Sequence, residues 1–406
     1  MILSVSWRNV WRSRTRSLVI MTAIALGVFA GVYTIAFMLG WVNQKVNSLI
    51  NTEMSHIQMH HAQYLETNEI HNFISNISKI RQEIQNEPEV KAVSARIVAT
   101  CMISSAEMGS GVQLVGIDPE VEQQLTNIHE KIVDGKYFDG VKSNPIVIGE
   151  KLAEKLKVKV RSKIVVTLTE MDGTLTGGAF RVVGIYRTTN TTYDEMKAFV
   201  RADDLRKLLK IEEDAGHEVA ILLSVHGAEK QFAEKLRSKY PELQTLAWTQ
   251  LVPEMEMMNE NMNLMMYFFV GIILLALGFG IVNTMLMVIL ERVKEIGMLM
   301  AVGMNKIRVF AMIVLETVFL SLTGGIIGIV LAFIMVSLTQ KTGLDLSIWA
   351  EGLNSLGYDA IIYPTIGFDS AIVVAIMVFF TGLLSAVYPA YKAIRLNPAE
   401  AIRIDM

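Results

Sequence analysis

Cysteine is almost missing: Cys101 is the single one in 406 residues. An internal disulfide framework is thereby excluded, as is any C-x-x-C centre. Proline is scarce at 8, and charged residues make up 19% of the chain, against about 25% in an ordinary soluble domain. No sign of charge dominates either: 37 Lys and Arg stand against 40 Asp and Glu, a formal net charge of −3. A nucleic-acid binder carries a strong basic excess, so no nucleic-acid partner is expected. Catalytic signatures are missing as well. There is no G-x-x-x-x-G-K-[ST], no H-E-x-x-H and no G-x-S-x-G, so the chain offers neither a phosphate-cradling loop nor a zinc site nor a nucleophile elbow of its own. No catalytic residue is assigned and no cofactor is expected in this chain.

Apolar residues are what the chain has in surplus, at 52%. They gather in four runs, which argues against an ordinary soluble enzyme. Leu18 to Leu39 contains no charge in 22 residues, about 33 Å of helix and enough for a bilayer core. Leu264 to Leu290 and Ala371 to Ala390 also contain none, and Val309 to Leu338 contains only Glu316. The first run is too long for a signal-peptide core and reads as a retained span. The expected architecture is an α-helical membrane protein. Its four transmembrane helices cover 18–39, 264–290, 309–338 and 371–390. A large α+β extracytoplasmic domain, 40–263, is inserted between the first and second. The remaining segments are an amphipathic N-terminal helix at 1–17, a helical loop at 291–308, a short extracytoplasmic loop at 339–370 and a tail at 391–406.

Lys and Arg near the span ends set the orientation. Arg8, Arg12, Arg14 and Arg16 precede the first span. Arg292, Lys294, Lys306 and Arg308 lie between the second and third, and Lys392, Arg395 and Arg403 follow the fourth. The 339–370 loop has Lys341 against Asp345, Glu351, Asp359 and Asp369. Both termini and the 291–308 loop are therefore expected in the cytoplasm.

The insert alternates strand and helix patterns. Strands are expected at 55–61, 90–104, 111–117, 145–148, 162–169, 179–186, 197–200, 219–225 and 243–248, with helices at 73–86, from 149, at 202–210 and at 228–240. Met171 to Gly178, with Asp172-Gly173 and Gly177-Gly178, reads as a hairpin. The mixture is α+β. Val42, Val46, Leu49 and Ile50 extend the first helix into the insert, and Pro253 opens a helix leading into the second span. Four histidines, His56, His60, His61 and His71, fall close together. Their spacing fits a polar strand near the membrane better than a metal site, and no metal ligand set is assigned. Methionines crowd the second stalk. Met258, Met262, Met265 and Met266 either line a substrate cleft that receives acyl chains or pack the stalk helices.

The cytoplasmic segments carry the most specific patterns. Trp7 to Ser17 interleaves arginine with tryptophan, as suits an amphipathic helix on an anionic lipid surface. In Asn283 to Gly303 the spacing pairs Glu291 with Lys294 and Arg292 with Glu295. Gly303 fits a helix stop and Asn305 the cap of the next helix. Glu316 lies eight residues past Arg308, about 12 Å along a helix, within range of a base on this loop or free of any switching role. After the fourth span Asn397, Pro398 and Glu400 read as a capping box opening a small terminal helix.

Three motifs taken together resemble one family. They are R-N-x-x-R-x-R-x-R before the first span, E-R-x-x-E-I-G-x-x-x-A-x-G after the second and P-A-x-x-A-x-x-x-x-P-x-E-A-x-R after the fourth. In combination, and with Asp134-Gly135-Lys136-Tyr137-Phe138 and Ile146 to Ala153 in the insert, they are similar to the MacB/FtsX/LolC–LolE permeases of ABC transporters. The resemblance implies a non-catalytic subunit of the bacterial inner membrane that works by mechanotransmission. ATP and Mg would be bound by a separate cytoplasmic ATPase dimer, with a second permease copy or paralogue alongside. Glu291, Arg292, Lys294, Glu295, Ile296, Gly297, Ala301 and Gly303 would form the coupling helix that seats on the ATPase. The layout is closest to the lipoprotein-releasing type, which implies a lipoprotein substrate, membrane lipid and a periplasmic carrier. The resemblance implies that the hairpin at Met171, Asp172, Gly173, Thr174 and Leu175 would be the counterpart of a carrier-docking hairpin. MacB-like export of peptides or small amphiphiles and FtsX-like signalling to a cell-wall hydrolase are the alternatives.

Overall fold

The computed structural model describes residues 2–12, 14–139, 143–225 and 227–395. The motif at Asn397, Pro398 and Glu400 lies outside them. The chain opens with helices α1 (Ile2–Arg12) and α2 (Arg14–Ser48). The insert then runs β1 (Ile57–His61), α3 (Ile77–Gln85), β2 (Val90–Ser104), β3 (Gly109–Ile117), α4 (Pro119–Leu125), β4 (Ile132–Gly135), β5 (Pro145–Gly149), α5 (Glu150–Leu156), β6 (Lys163–Thr169), β7 (Leu175–Tyr186), α6 (Thr191–Met196), β8 (Lys197–Arg201), α7 (Ala202–Leu209), β9 (Glu218–Leu223), α8 (Glu229–Lys239) and β10 (Leu243–Ala247). Helices α9 (Pro253–Glu291), α10 (Val293–Ala301), α11 (Lys306–Thr342), α12 (Ala350–Ser355) and α13 (Phe368–Ile394) complete the chain. Two compact units result. One holds 1–42, 259–345 and 361–406, the other 43–258 and 346–360.

In the first unit α2, α9, α11 and α13 are each long and apolar enough to cross a membrane. Their core contains Ile24, Val28, Val32, Leu274, Ile281, Ile313, Leu320 and Val378. Lipid tails are as apolar as leucine, so such helices hold together through close packing rather than water exclusion. Small residues permit it. An added Cβ at Gly328 would lie 2.5 Å from the Ala25 carbonyl oxygen, and one at Gly324 would lie 2.8 Å from that of Met21. Leu277 occupies the notch left by Gly27. Ala276 and Gly280, spaced in the same way, are exposed instead, with nothing near Gly280.

The insert is built on one ten-stranded sheet in the order β10-β1-β9-β2-β3-β8-β5-β7-β4, with β6 pairing both β2 and β7. Pairing is antiparallel except for β3 with β8 and β5 with β7. The 15-residue β2 is shared by two lobes: Val90 to Arg96 pair with β9, and Ile97 to Ser104 with β3. Ile57, Ile84, Val93, Ile221, Phe232 and Leu236 fill the first lobe. Ile103, Leu114, Ile148, Leu152, Val166, Phe180 and Leu205 fill the second. The α+β reading is met, and most expected strands and helices are present. The stretch 118–135, unassigned from the pattern, folds as α4 and β4. Asp118 caps α4 by accepting from Glu120 N at 3.1 Å, ahead of Pro119 at the first helical position. The hairpin is shorter than the spacing suggested, because Gly177 and Gly178 lie within β7, opposite Thr167 and Val166.

The segment 346–360, part of the short loop expected at 339–370, belongs to the same compact unit as the insert. Lys45, near the end of α2, donates to the Gly357 carbonyl at 2.5 Å and lies 5.1 Å from the Tyr358 ring centroid. Gln44 donates to Asp359 at 2.8 Å, and Thr191 to the Asn354 carbonyl at 3.3 Å. Lys45 thus holds carbonyls left open at the end of α12, where helices lack internal partners.

Two outcomes are expected. Gly328→Ala forces α2 away from α11 at a cost of about 1–3 kcal/mol, seen as a lower melting temperature of the full chain in detergent, while Gly280→Ala leaves melting unchanged. Lys45→Met removes a charge-assisted hydrogen bond worth about 1.5–3 kcal/mol. Hydrogen exchange at the Leu356, Gly357 and Tyr358 amides is then expected to quicken on the order of tenfold or more.

Candidate functional site

Helix α9 ends at Glu291 because Arg292 leaves the helical region, with φ −105° and ψ 15°. Helix α10 follows for 9 residues and stops before Gly303, whose φ of +98° suits glycine. Asn305 then caps α11 by accepting from the Ile307 amide at 3.1 Å. The stop and the cap are those expected from the sequence. Val293, Ile296 and Gly297 form the buried side of α10, and Ile296 joins the core of the helix bundle. Glu291, Lys294, Ala301 and Gly303 are exposed. So are three large apolar side chains at the α10–α11 turn: Met298, Val302 at 86% and Ile307 at 73%. Basic Lys294, Lys306 and Arg308 stand around them, all exposed. A cluster of exposed apolar side chains rimmed by charge is the composition of an interaction surface.

A chain of ion pairs runs behind this surface. Arg12 on α1 reaches Glu295 at 3.1 Å. Glu295 is bound by Arg292 at 3.0 Å, the i,i+3 pair expected from spacing. Arg292 also donates to both carboxylate oxygens of Glu316 on α11, at 3.2 and 3.3 Å. Glu316 is buried, with 7% of its surface exposed, so of its two readings the one that pairs it with a base on this loop is met, and that base is Arg292. Helix α1 packs on α11 as well. Ser6 donates to the Met312 carbonyl at 3.2 Å, and Trp7 stands edge-on to Phe319 with centroids 5.4 Å apart. The tie from Arg12 to Glu295 was not readable from sequence, since it depends on how α1 docks.

The other expected sites are placed as follows. Met266 is buried in the core of the helix bundle and Met262 packs against it. Met258 is half-buried and accepts from the Tyr358 hydroxyl at 3.5 Å. Met265 alone of the four is exposed, at 56%, beside Leu264 at 71%. Met266 is therefore a packing residue, since a side chain enclosed among helices faces no cleft. In the hairpin the Thr174 hydroxyl and amide donate to Asp172, at 2.6 and 2.9 Å, and hold its carboxyl below the ordinary range. Gly173 has φ +83°, and Leu175 is 78% exposed. The Met171 carbonyl accepts from His71 at 2.7 Å, which ties this turn to the one at His71 that follows β1. His56 and His60 are buried with partners of their own, the Leu223 amide and the His217 carbonyl. Among the described residues no group of three or more His, Cys, Asp or Glu is placed to hold a metal.

Residues 17–239 match the family model of the MacB-like periplasmic core domain, and 267–398 that of the FtsX-like permease C-terminal region. The chain is 28% identical over 235 residues to an uncharacterized ABC transporter permease of Methanocaldococcus jannaschii, covering 55% of each chain. It is 23% identical over 362 residues to the lipoprotein-releasing system transmembrane protein LolC of Neisseria meningitidis, covering 85% of each. To the macrolide export ATP-binding/permease protein MacB of Wolinella succinogenes it is 28% identical over 227 residues, 56% of this chain and 29% of that one. The chain thus spans about half the length of the first relative and less than a third of the last. With four apolar helices, an α+β insert after the first and both family regions in order, the chain belongs to the MacB- and FtsX-like permeases of ABC transporters.

Proposed function

We propose that this chain is the membrane subunit through which a separate cytoplasmic ATPase dimer drives the release of lipoproteins from a bacterial inner membrane. Both termini and α10 are then cytoplasmic, and the insert faces the periplasm. The observation that carries the coupling role is the exposed apolar turn of Met298, Val302 and Ile307, rimmed by Lys294, Lys306 and Arg308. Lipoprotein as substrate is favoured by the alignment with LolC, which extends over 85% of both chains.

The mechanism follows from the elements. ATP, bound with Mg in the partner, brings the two ATPase subunits together and displaces α10. Helix α9 is unbroken from Pro253 to Glu291, about 58 Å of helix, and leads directly from the insert to α10. An exposed apolar stripe on it, with Leu264, Met265 and Phe268, faces acyl chains in a cleft completed by a second permease copy. Met258 and Met262 border that stripe. The insert then closes on the lipoprotein and passes it outward to a carrier that docks at Leu175 and the Asp172-Gly173 turn.

Two measurements test this. Val302→Asp places a charge in the apolar turn and is expected to abolish co-purification of the ATPase while leaving the melting temperature unchanged. Retained co-purification would remove the docking role. Mass spectrometry of the purified complex is expected to find lipidated proteins, and their loss on Met265→Ser. Unlipidated peptides or small amphiphiles in their place would refute lipoprotein release in favour of export.

A further inference from the structure

The docking turn leaves one group unexplained: a carboxylate inside the helix bundle. Val309, Ile313, Glu316 and Leu320 share one buried face of α11, and all but Glu316 are apolar. A charge there is costly unless paired, so intramembrane carboxylates are rare and generally functional. A partner of Glu316 is Arg292, which stands at the break between α9 and α10 rather than within either helix.

The geometry points to Glu316 as a positioning residue that fixes the orientation of α10 through Arg292. The inference rests on α10 being the element an ATPase moves. Helix α10 is a short rod between two non-helical residues, Arg292 and Gly303. Its apolar contacts, through Val293 and Ile296, are non-directional and would let it roll. The guanidinium is directional. Its Nε binds Glu295, one turn into α10, while Nη1 binds both oxygens of Glu316. One planar group therefore ties the break, α10 and α11 into a single piece. A push on α10 is delivered to α11 instead of being absorbed at the two breaks. The outer link, Arg12 to Glu295, has side chains 69% and 41% exposed, so solvent weakens it and it contributes little.

The test uses the full chain in nanodiscs on a Cys101→Ser background. Spin labels are carried at Lys294→Cys and Lys392→Cys, both exposed and outside the ion-pair chain. A narrow distance distribution is expected for the parent. Glu316→Gln and Arg292→Gln are each expected to widen it at least twofold, and Arg12→Gln to leave it unchanged. The exchanged pair, Arg292→Glu with Glu316→Arg, is expected to narrow it again, and Glu316→Asp, which keeps the charge, to give an intermediate width. An unchanged width in Glu316→Gln overturns the inference, as does failure of both charge-preserving variants to narrow it. With the ATPase present, Glu316→Gln should keep the complex but lower substrate-stimulated ATP hydrolysis about tenfold, and the exchanged pair should recover it. Normal stimulation in Glu316→Gln would also overturn it. If the parent chain binds no ATPase, the docking role fails while the distance measurement still decides whether Glu316 orients α10.

Discussion

A charge in hydrocarbon must meet a counter-charge, and a polar group there must find its hydrogen bond within the protein. The membrane unit is arranged around that requirement. Three of its threonines are satisfied locally: Thr317 donates to the Ile313 carbonyl at 3.0 Å, Thr323 to Phe319 at 2.8 Å and Thr381 to Met377 at 2.8 Å. Each closes on its own helix and demands nothing of a neighbour. Glu316 cannot do so, because no carbonyl of its own helix offers it a proton. Its carboxylate reaches across to Arg292, and this one demand connects the bundle to the turn where α9 gives way to α10. Close contact at Gly324 and Gly328 then lets α2 and α11 pack without spacing atoms.

The insert solves the same problem in the same way. Arg96 is buried on β2 and donates to Glu122 on α4 at 2.6 Å and to Glu218 on β9 at 2.6 Å. Ser94 and Thr126 bind Glu122 as well. Burial alone works against the Arg96 charge, but Glu122 and Glu218 outweigh it and raise its pKa. Arg96 stands where β2 passes from one partner strand to another, so the ion pairs lie at the joint of the two lobes. Replacing such a triad by apolar groups is often harmless, whereas removing one member strands the others. Its value is therefore in orientation: a planar fork between two carboxylates fixes an angle that apolar contacts leave loose. Arg292 and Arg96 are the same device on two sides of the chain.

These differences of physics decide what was legible in the sequence. Uninterrupted apolar runs, the stop at Gly303 and the cap at Asn305 are local, and all are met in the structure. So are the β-branched and apolar stretches that mark β2, β6 and β9. The shared role of β2 was not legible, because no residue near Arg96 announces that the strand changes partners. Helix α4 has a local signal in Asp118-Pro119, a cap followed by proline at the first helical position. Helix α6 was hidden by Thr191 and Thr192, which are poor helix formers held by the Asn190 cap. Gly177-Gly178 suggested a wider turn, but the pair lies within β7, where an added Cβ at Gly178 would stand 3.1 Å from Phe180 and 3.3 Å from Leu208, so that glycine makes room for packing rather than for a turn. Lys45 had no signal at all, since a lysine ending an apolar helix is ordinarily only a snorkelling residue.

Lys45 gives the 346–360 segment a defined place within the unit that holds the insert. Lys45 binds the Gly357 carbonyl, Gln44 binds Asp359 and Thr191 binds the Asn354 carbonyl. Gln44 and Lys45 come from the end of α2 and Thr191 from α6, so two elements distant in sequence grip one short stretch. A segment held at a single point would still swing about it. Held at Asn354, Gly357 and Asp359, it loses that freedom, and its ordering cost is met by polar contacts rather than by apolar burial. None of the residues of α12 is buried, so hydrophobic contact alone would not keep it in place. The lysine ammonium does what a core residue does elsewhere in the insert.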